Sequence, residues 1–279
     1  MPGTQPDLAH QKQQMRRLFD DVAEAYPAAE FFPQFARSLV RWSQLPRGAR
    51  VLDLAAGRGA IFDNVAAAAA PACAVAVDLS GRMISLLRSS HLESRGNLGF
   101  AVMDAETLAF ADASFDAVLC GFALNMMPDP HQALLEIYRI LRPGGIFSAS
   151  VPGPALSNPF PPYSALIARF SQLTDPARWT MSDLPHPERL LIAAGFADVL
   201  RIHDETPMRV HDPAEFWKIE MAHGLRGFYQ SLPGYAQQEF YRQFLQVVAP
   251  PQGRSLLIGR GAIFFRGRKP EPAPGGADG

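Results

Sequence analysis

Between Ala9 and Leu45 apolar residues recur three and four apart: Met15, Leu18, Phe19, Val22, Ala23 and Tyr26, then Phe31, Phe32, Phe35, Leu39, Val40 and Trp42. That period predicts amphipathic helix, interrupted at Pro27 and closed by Pro46 and Gly48. The texture then changes. Short unbroken apolar runs, RVLDLAA, CAVAVD, LGFAVMD, SFDAVLCGF and IFSASV, read as strands buried on both faces. Between them GAIFDNVAAAAA, SGRMISLLRSS and DPHQALLEIYRIL carry helical spacing. Ser80 suits an N-cap, Pro130 a first helical turn, and RPGG a helix stop. Strands alternating with helices are joined by crossovers and run parallel, which predicts an α/β fold with a doubly wound sheet.

The alternation breaks at PGPALSNPFPPYS, and the helix-like segment YSALIARFSQLT follows. The α/β pattern resumes with PHPERLLIAAGF and the strand ADVLRIHDE. A second helical block, PAEFWKIEMAHGLRGFYQSL and YAQQEFYRQFLQVV, precedes a last strand, GAIFFRGR. The expected organisation is a helical segment over residues 1–46, an α/β core over 47–153 and 184–211, and helical insertions over 154–183 and 212–250. A last core strand falls in 251–268, and a Pro/Gly-rich tail, 269–279, is expected to be disordered. Ligands of open α/β sheets bind at the carboxyl ends of the strands, the end that insertions leave or rejoin. The helical additions are therefore expected to form a lid.

Composition narrows the function more than the fold. With 279 residues, 48% of them hydrophobic, the chain can build one large domain with a smaller attachment. Net charge is −1 with both signs interspersed, so no basic stripe marks a nucleic-acid partner. The polar start MPGTQPDLAHQKQQMRR lacks a signal core, and no apolar stretch reaches the ~20 residues of a membrane span. A cytoplasmic protein without a membrane partner is expected, as a monomer or homodimer. Cys73 and Cys120 lie in apolar segments and read as small buried thiols. No His cluster accompanies them and no carboxylate cluster suggests Mg²⁺, so no metal is predicted.

The chemistry concentrates in VLDLAAGRGA, at positions 51 to 60. An apolar strand exits through Gly57 and Gly59, which let the backbone turn tightly and approach a ligand. The next helix aims its N-terminal N–H groups at the same place. Position 62 is Phe where a dinucleotide fingerprint needs glycine, and no GK[ST] follows. A nicotinamide oxidoreductase is the weaker reading for that reason. Asp53 lies in this first strand, Asp78 ends the second and Asp104 the third. A carboxylate at Asp78 can accept ribose hydroxyls, and one at Asp104 the exocyclic amino group of adenine. Leu79 and Met83 supply apolar contacts for a purine face.

Together these segments resemble the class I S-adenosylmethionine-dependent methyltransferases of small-molecule type, related to the quinone-biosynthesis enzymes. VLDLAAGRG matches the first motif, with Ala55 where glycine is commonest; AVAVDLS, MDAETLAF, SFDAVLCGFALNMMPD and EIYRILRPGG match the later ones. FDDVAEAY matches the N-terminal helix, and the resemblance covers roughly residues 15–150 before resuming at HPERLLIAAGF. It implies a seven-stranded, mostly parallel Rossmann-like sheet and S-adenosyl-L-methionine as cofactor. It further implies that Asp53, Ala55, Gly57 and Gly59 hold the methionine portion, Asp78 the ribose, and Asp104 with Ala105 the adenine. Main-chain groups around Cys120 and Gly121 would meet the amino end, and Tyr26 would lie over the cofactor.

Methyl transfer is an in-line displacement, so alignment and water exclusion come first. A base is needed only where the acceptor must lose a tightly held proton. Relatives carry a His pair after the fourth strand; here Asn125 and Met126 stand there. The remaining candidates are His186, at a helix start, then His211, His223 and Glu220. Phe31, Phe32, Phe35, Phe160, Tyr163, Phe170, Trp179, Met181, Phe216, Trp217, Met221, Phe228 and Tyr229 make the helical additions rich in large apolar groups. They favour a bulky hydrophobic acceptor, such as a secondary metabolite. The missing His pair also motivates an alternative, a chain that keeps the cofactor but catalyses cyclisation, isomerisation or hydroxylation.

Overall fold

The structure is a computed structural model that describes residues 7–26, 31–68, 71–92, 97–174, 184, 186–222, 224–251 and 254–272. Helices α1 (Leu8–Val22) and α2 (Phe31–Ser43) come first. They are followed by β1 (Arg50–Leu54), α3 (Ala60–Ala68), β2 (Cys73–Asp78), α4 (Gly81–Ser90), β3 (Leu98–Val102) and β4 (Phe115–Gly121). The chain continues through α5 (Pro130–Ile140), β5 (Leu141–Gly153), α6 (Pro161–Ser171), α7 (Pro187–Ala193) and β6 (Ala197–Val210). It ends with α8 (Pro213–Met221), α9 (Gly224–Ser231), α10 (Gly234–Val247) and β7 (Leu256–Arg268).

The strands form one seven-stranded sheet in the order β3-β2-β1-β4-β5-β7-β6. β1 pairs in parallel with β2 and β4, β2 with β3, and β4 with β5. The expected α/β, doubly wound, mostly parallel sheet is what the chain builds. From β1 the order grows one way through β2 and the other through β4. Their carboxyl ends flank the switch point where such sheets take ligands. Register aligns those ends, with Asp53 opposite Ala76 and Leu119, and Asp78 opposite Val102. The Ser80 hydroxyl caps α4 by accepting the Met83 N–H at 3.0 Å.

By packing, the described residues fall into two compact units. The sheet unit comprises Ala36–Val151, Asp183–Ile202 and Ile263–Gly279. Its core includes Leu52, Leu54, Val118, Ile137, Phe147 and Phe265. The helical unit comprises Met1–Phe35, Pro152–Ser182 and His203–Ala262. Its core is aromatic, with Phe170, Phe216, Phe228, Phe240 and Phe244 packed among Leu166, Val210 and Ile258.

These units depart from the sequence-drawn boundaries in three places. Residues 36–46 do not join the N-terminal helical addition, because Trp42 packs on Phe264 (6.3 Å between centroids) and lies under the Arg266 guanidinium. Residues 203–211 and 256–262 belong with the helices rather than with the core. The strands there run much longer than their apolar runs, 14 residues in β6 and 13 in β7. The helix α5 ends just before RPGG, as expected, and β5 begins at Leu141 directly after it. Among the described residues no helix is long and apolar enough to cross a membrane.

Candidate functional site

The loop after β1 is built from left-handed backbone. Ala55 (φ +56°), Gly57 (φ +54°) and Gly59 (φ +87°) all adopt it. At Gly59 there is a second demand: a Cβ would sit 2.4 Å from Leu87 Cδ1. Ala55 occupies the same region with a side chain, at a steric cost on the order of 1–2 kcal/mol. The loop is stitched to the neighbouring strand end, since Gly57 donates its N–H to Asp78 Oδ2 at 2.8 Å and Ala56 donates to the Val77 carbonyl at 3.0 Å.

Asp53 and Asp78 lie near enough across this loop for their charges to interact. Asp53 is buried, and its Oδ2 accepts the Phe62 N–H at 2.9 Å from the first turn of α3. Its Oδ1 is buried with no hydrogen-bond partner. Burial pushes the Asp53 carboxyl well above the usual range; the Phe62 N–H opposes this, while the charges of Asp78 and Asp63 add to it. Each Asp78 oxygen already accepts one backbone N–H, Gly57 on one side and Ser80 (2.8 Å) on the other.

Asp104 lies just past β3, where Met103 donates to the Asp78 carbonyl at 3.0 Å and Glu106 donates to Asp104 Oδ1 at 2.9 Å. Ala105 and Leu79 are part-exposed beside these acids. Met83, expected as a purine contact, is 1% exposed and packs into the interior, because α4 turns that face toward the sheet. The loop is held by residues that the sequence analysis did not single out. Glu106 accepts the Asp129 N–H at 2.9 Å, Glu136 accepts the Leu108 N–H at 2.7 Å, and Arg139 donates to the Leu108 and Phe110 carbonyls at 2.7 Å. The Arg139 hydrogen bonds, first among the causes, hold the Glu136 carboxyl below its ordinary value. Their signal was the Glu136–Arg139 spacing of three on an amphipathic helix.

At the exit of β4 the Cys120 side chain is fully buried, and burial with the nearby Asp53 charge pushes its thiol up to about 12. Only its main chain is available to a ligand. A Cβ on Gly121 would lie 2.8 Å from Ile61 Cδ1. Phe122 follows in left-handed backbone (φ +55°), its N–H bonded to the Ser150 carbonyl at 2.8 Å. Asn125 sits in a short 3₁₀ turn, Leu124–Met126, buried, with its Oδ1 unpaired.

The other predicted catalytic groups separate. His186 precedes α7 in the sheet unit, but its ring does not cap the helix; it is half exposed and pairs with Glu188 at 3.1 Å. That surface pair arises because Pro187 and the short α7 put Glu188 in the first turn beside it. His211 is exposed. His223, Trp179 and Met181 lie outside the described residues. In the helical unit Glu220 is buried and ion-paired with Arg260. There too Tyr26 stacks on Phe32, at 5.4 Å and 7°.

A profile of the methyltransferase-domain family matches residues 52–149, the stretch that carries the glycine loop and all three acids. Residues 52–149 thus form a methyltransferase domain. The chain is 35% identical over 146 residues to an aklanonic acid methyltransferase, DauC, of Streptomyces sp. (strain C5), covering 50% of this chain and 66% of that one. To a demethylmenaquinone methyltransferase of Clavibacter sepedonicus it is 36% identical over 145 residues, covering 50% and 58%. The chain thus spans under two thirds of the length of these curated relatives. In fold the chain also resembles a putative methyltransferase of Haloferax volcanii, in complex with the methyltransferase activator Trm112, at a TM-score of 0.61 and 21% identity, over 93% of this chain and 99% of that one.

The residues present fit S-adenosylmethionine, the cofactor of this domain family. Its ligand is cationic at sulfur and at the amino group, and the loop offers two neighbouring carboxyls, one with an unpaired oxygen.

Proposed function

We propose that the chain transfers the methyl group of S-adenosylmethionine to an O, N or C atom of a bulky hydrophobic small molecule. One observation carries the reading: Asp53 Oδ1 is buried without a partner, in a carboxyl that burial and Asp78 both drive toward protonation. A positive charge nearby favours the ionised carboxyl and relieves the mismatch. The relatives named for aklanonic acid and demethylmenaquinone support a small-molecule acceptor. A secondary metabolite suits the aromatic-rich helical unit. The enzyme is read as cytoplasmic, a monomer or homodimer, without nucleic-acid or membrane partners.

The bound cofactor supplies a methyl group on a positively charged sulfur. The chain's own residues supply placement. Gly57 and Gly59 let the backbone approach, Asp53 and Asp78 hold the cationic and ribose portions, and Asp104 with Ala105 hold the adenine. Asn125 is assigned a positioning role, because an amide orients a neighbour but does not remove a proton at neutral pH. His186, paired with Glu188 at the surface, is left without a catalytic part in this reading, and His223 stays a candidate base.

The test is a turnover assay with a panel of hydrophobic hydroxylated and quinonoid acceptors. S-adenosylhomocysteine should appear in step with a product heavier by one methyl. An isomerised or hydroxylated product with the cofactor unchanged would favour the alternative chemistry instead.

A further inference from the structure

Within the sheet unit His91 ends α4 with both ring nitrogens facing acceptors. Its Nε2 lies 3.1 Å from Asp63 Oδ1 on α3. Its Nδ1 lies 3.1 Å from the Leu87 carbonyl and 3.1 Å from Ser90 Oγ. The Ser90 hydroxyl already donates to the same Leu87 carbonyl at 2.7 Å, so toward the ring it accepts. A neutral imidazole carries one N–H and would point a lone pair at one of these oxygens, whereas the imidazolium donates from both nitrogens. The C-terminal end of a helix also favours a cation. The side chain is 15% exposed and set between Phe62 (5.3 Å between centroids, 84°) and Phe100 (5.9 Å, 45°).

Asp63 is 58% exposed, and an ion pair open to water contributes little by Coulomb attraction alone. Its place in the fold matters more. Phe62, one residue earlier, donates its N–H to Asp53 Oδ2 at 2.9 Å, and Asp63 donates its own to the Gly59 carbonyl at 2.9 Å. On the other side Leu87, whose carbonyl faces the ring, fills the space where a Cβ on Gly59 would stand. One ring thus joins the first turn of α3 to the last turn of α4, the two helix ends that border the glycine loop. Among the described residues, α3 brings Asp63 to the ring, α4 brings the exposed Arg88, whose carbonyl accepts the His91 N–H, and β3 carries no charged side chain.

We propose that His91 is a positioning residue of the cofactor site: as the imidazolium it ties α3 to α4 and holds the glycine loop in the form that binds S-adenosylmethionine. The proposal rests on the methyltransferase reading and adds a pH-dependent support beneath the loop. As pH rises through the range where histidine loses its charge, one of the two ties is lost. Ligand binding must then order more of the loop, and affinity falls.

The experiment titrates S-adenosylhomocysteine calorimetrically into the full chain and into H91Q from pH 5.5 to 8.5. Dividing the Kd of H91Q by that of the unsubstituted chain at each pH cancels the titration that both chains share, that of Asp53 and of the ligand included. The ratio should be about three at pH 5.5, the scale of a partly exposed charged pair, and approach one by pH 8.5. A packing role alone gives a ratio that does not change with pH. A constant ratio, or one that grows as pH rises, would overturn the proposal. H91F, which keeps an aromatic ring between Phe62 and Phe100, serves if H91Q does not fold, and the same trend is expected. If S-adenosylhomocysteine binds neither chain at any pH, the methyltransferase reading falls and this proposal with it; if it binds with a constant ratio, only the role of His91 falls.

Discussion

Asp53 is a residue placed against its own stability. Its folded carboxyl titrates well above the unfolded value because burial disfavours the charge. The folded state therefore holds the proton more tightly than the unfolded one. The stabilisation is full below the unfolded Asp pKa of about 3.9 and is lost as pH rises through the raised folded value. D53N should flatten that profile and melt at a higher temperature than the unsubstituted chain at neutral pH, read by calorimetry from pH 4 to 8. The same variant should bind S-adenosylmethionine more weakly, because the carboxylate that meets the cation is gone. D78A should cost the cofactor about 1–3 kcal/mol of affinity by calorimetric titration, since hydroxyls lose their acceptors; undiminished affinity would displace the ribose from Asp78. Both aspartates were visible in the sequence, Asp53 within the first apolar run and Asp78 at the end of the second. The unpaired Asp53 oxygen was not, because burial and hydrogen bonding depend on what packs above the strand.

The turn between β1 and α3 shows how local chain chemistry builds a site. Gly59 needs both a positive φ and the absence of a Cβ, with Leu87 of α4 waiting 2.4 Å from where one would stand. G59A should destabilise the fold by roughly 2–4 kcal/mol, from left-handed strain and overpacking together, measured by urea unfolding. A55G should change stability by less than about 1 kcal/mol, because relief of strain is offset by a freer unfolded chain. The glycines, the Ser80 cap and the first four strands were legible from spacing, since each depends on neighbours within a turn or on burial of both faces. The outer halves of β5, β6 and β7 were not. β6 is largely exposed along its length, and a strand without two buried faces leaves no continuous apolar run.

For the molecule as a whole, ligand linkage separates the readings. S-adenosylhomocysteine at about a hundred times its Kd should stabilise the chain by about 2.7 kcal/mol and raise the melting temperature. NAD at the same concentration should leave it unmoved, as Phe62 stands where a dinucleotide loop needs its third glycine. A shift with NAD alone would reverse the assignment. The alternating apolar runs sufficed for the α/β class and for the place of the strand-end acids, because those follow from backbone period and from chemistry carried within short segments. The division into two cores, the clamp of Glu136 and Arg139 on the Asp104 loop, and the meeting of Tyr163, Glu220 and Arg260 required the folded chain. Tyr163 and Glu220 are 57 residues apart and Glu220 and Arg260 are 40 apart. Contacts at that separation are set by which elements pack together, and no local pattern of polar and apolar positions encodes that choice.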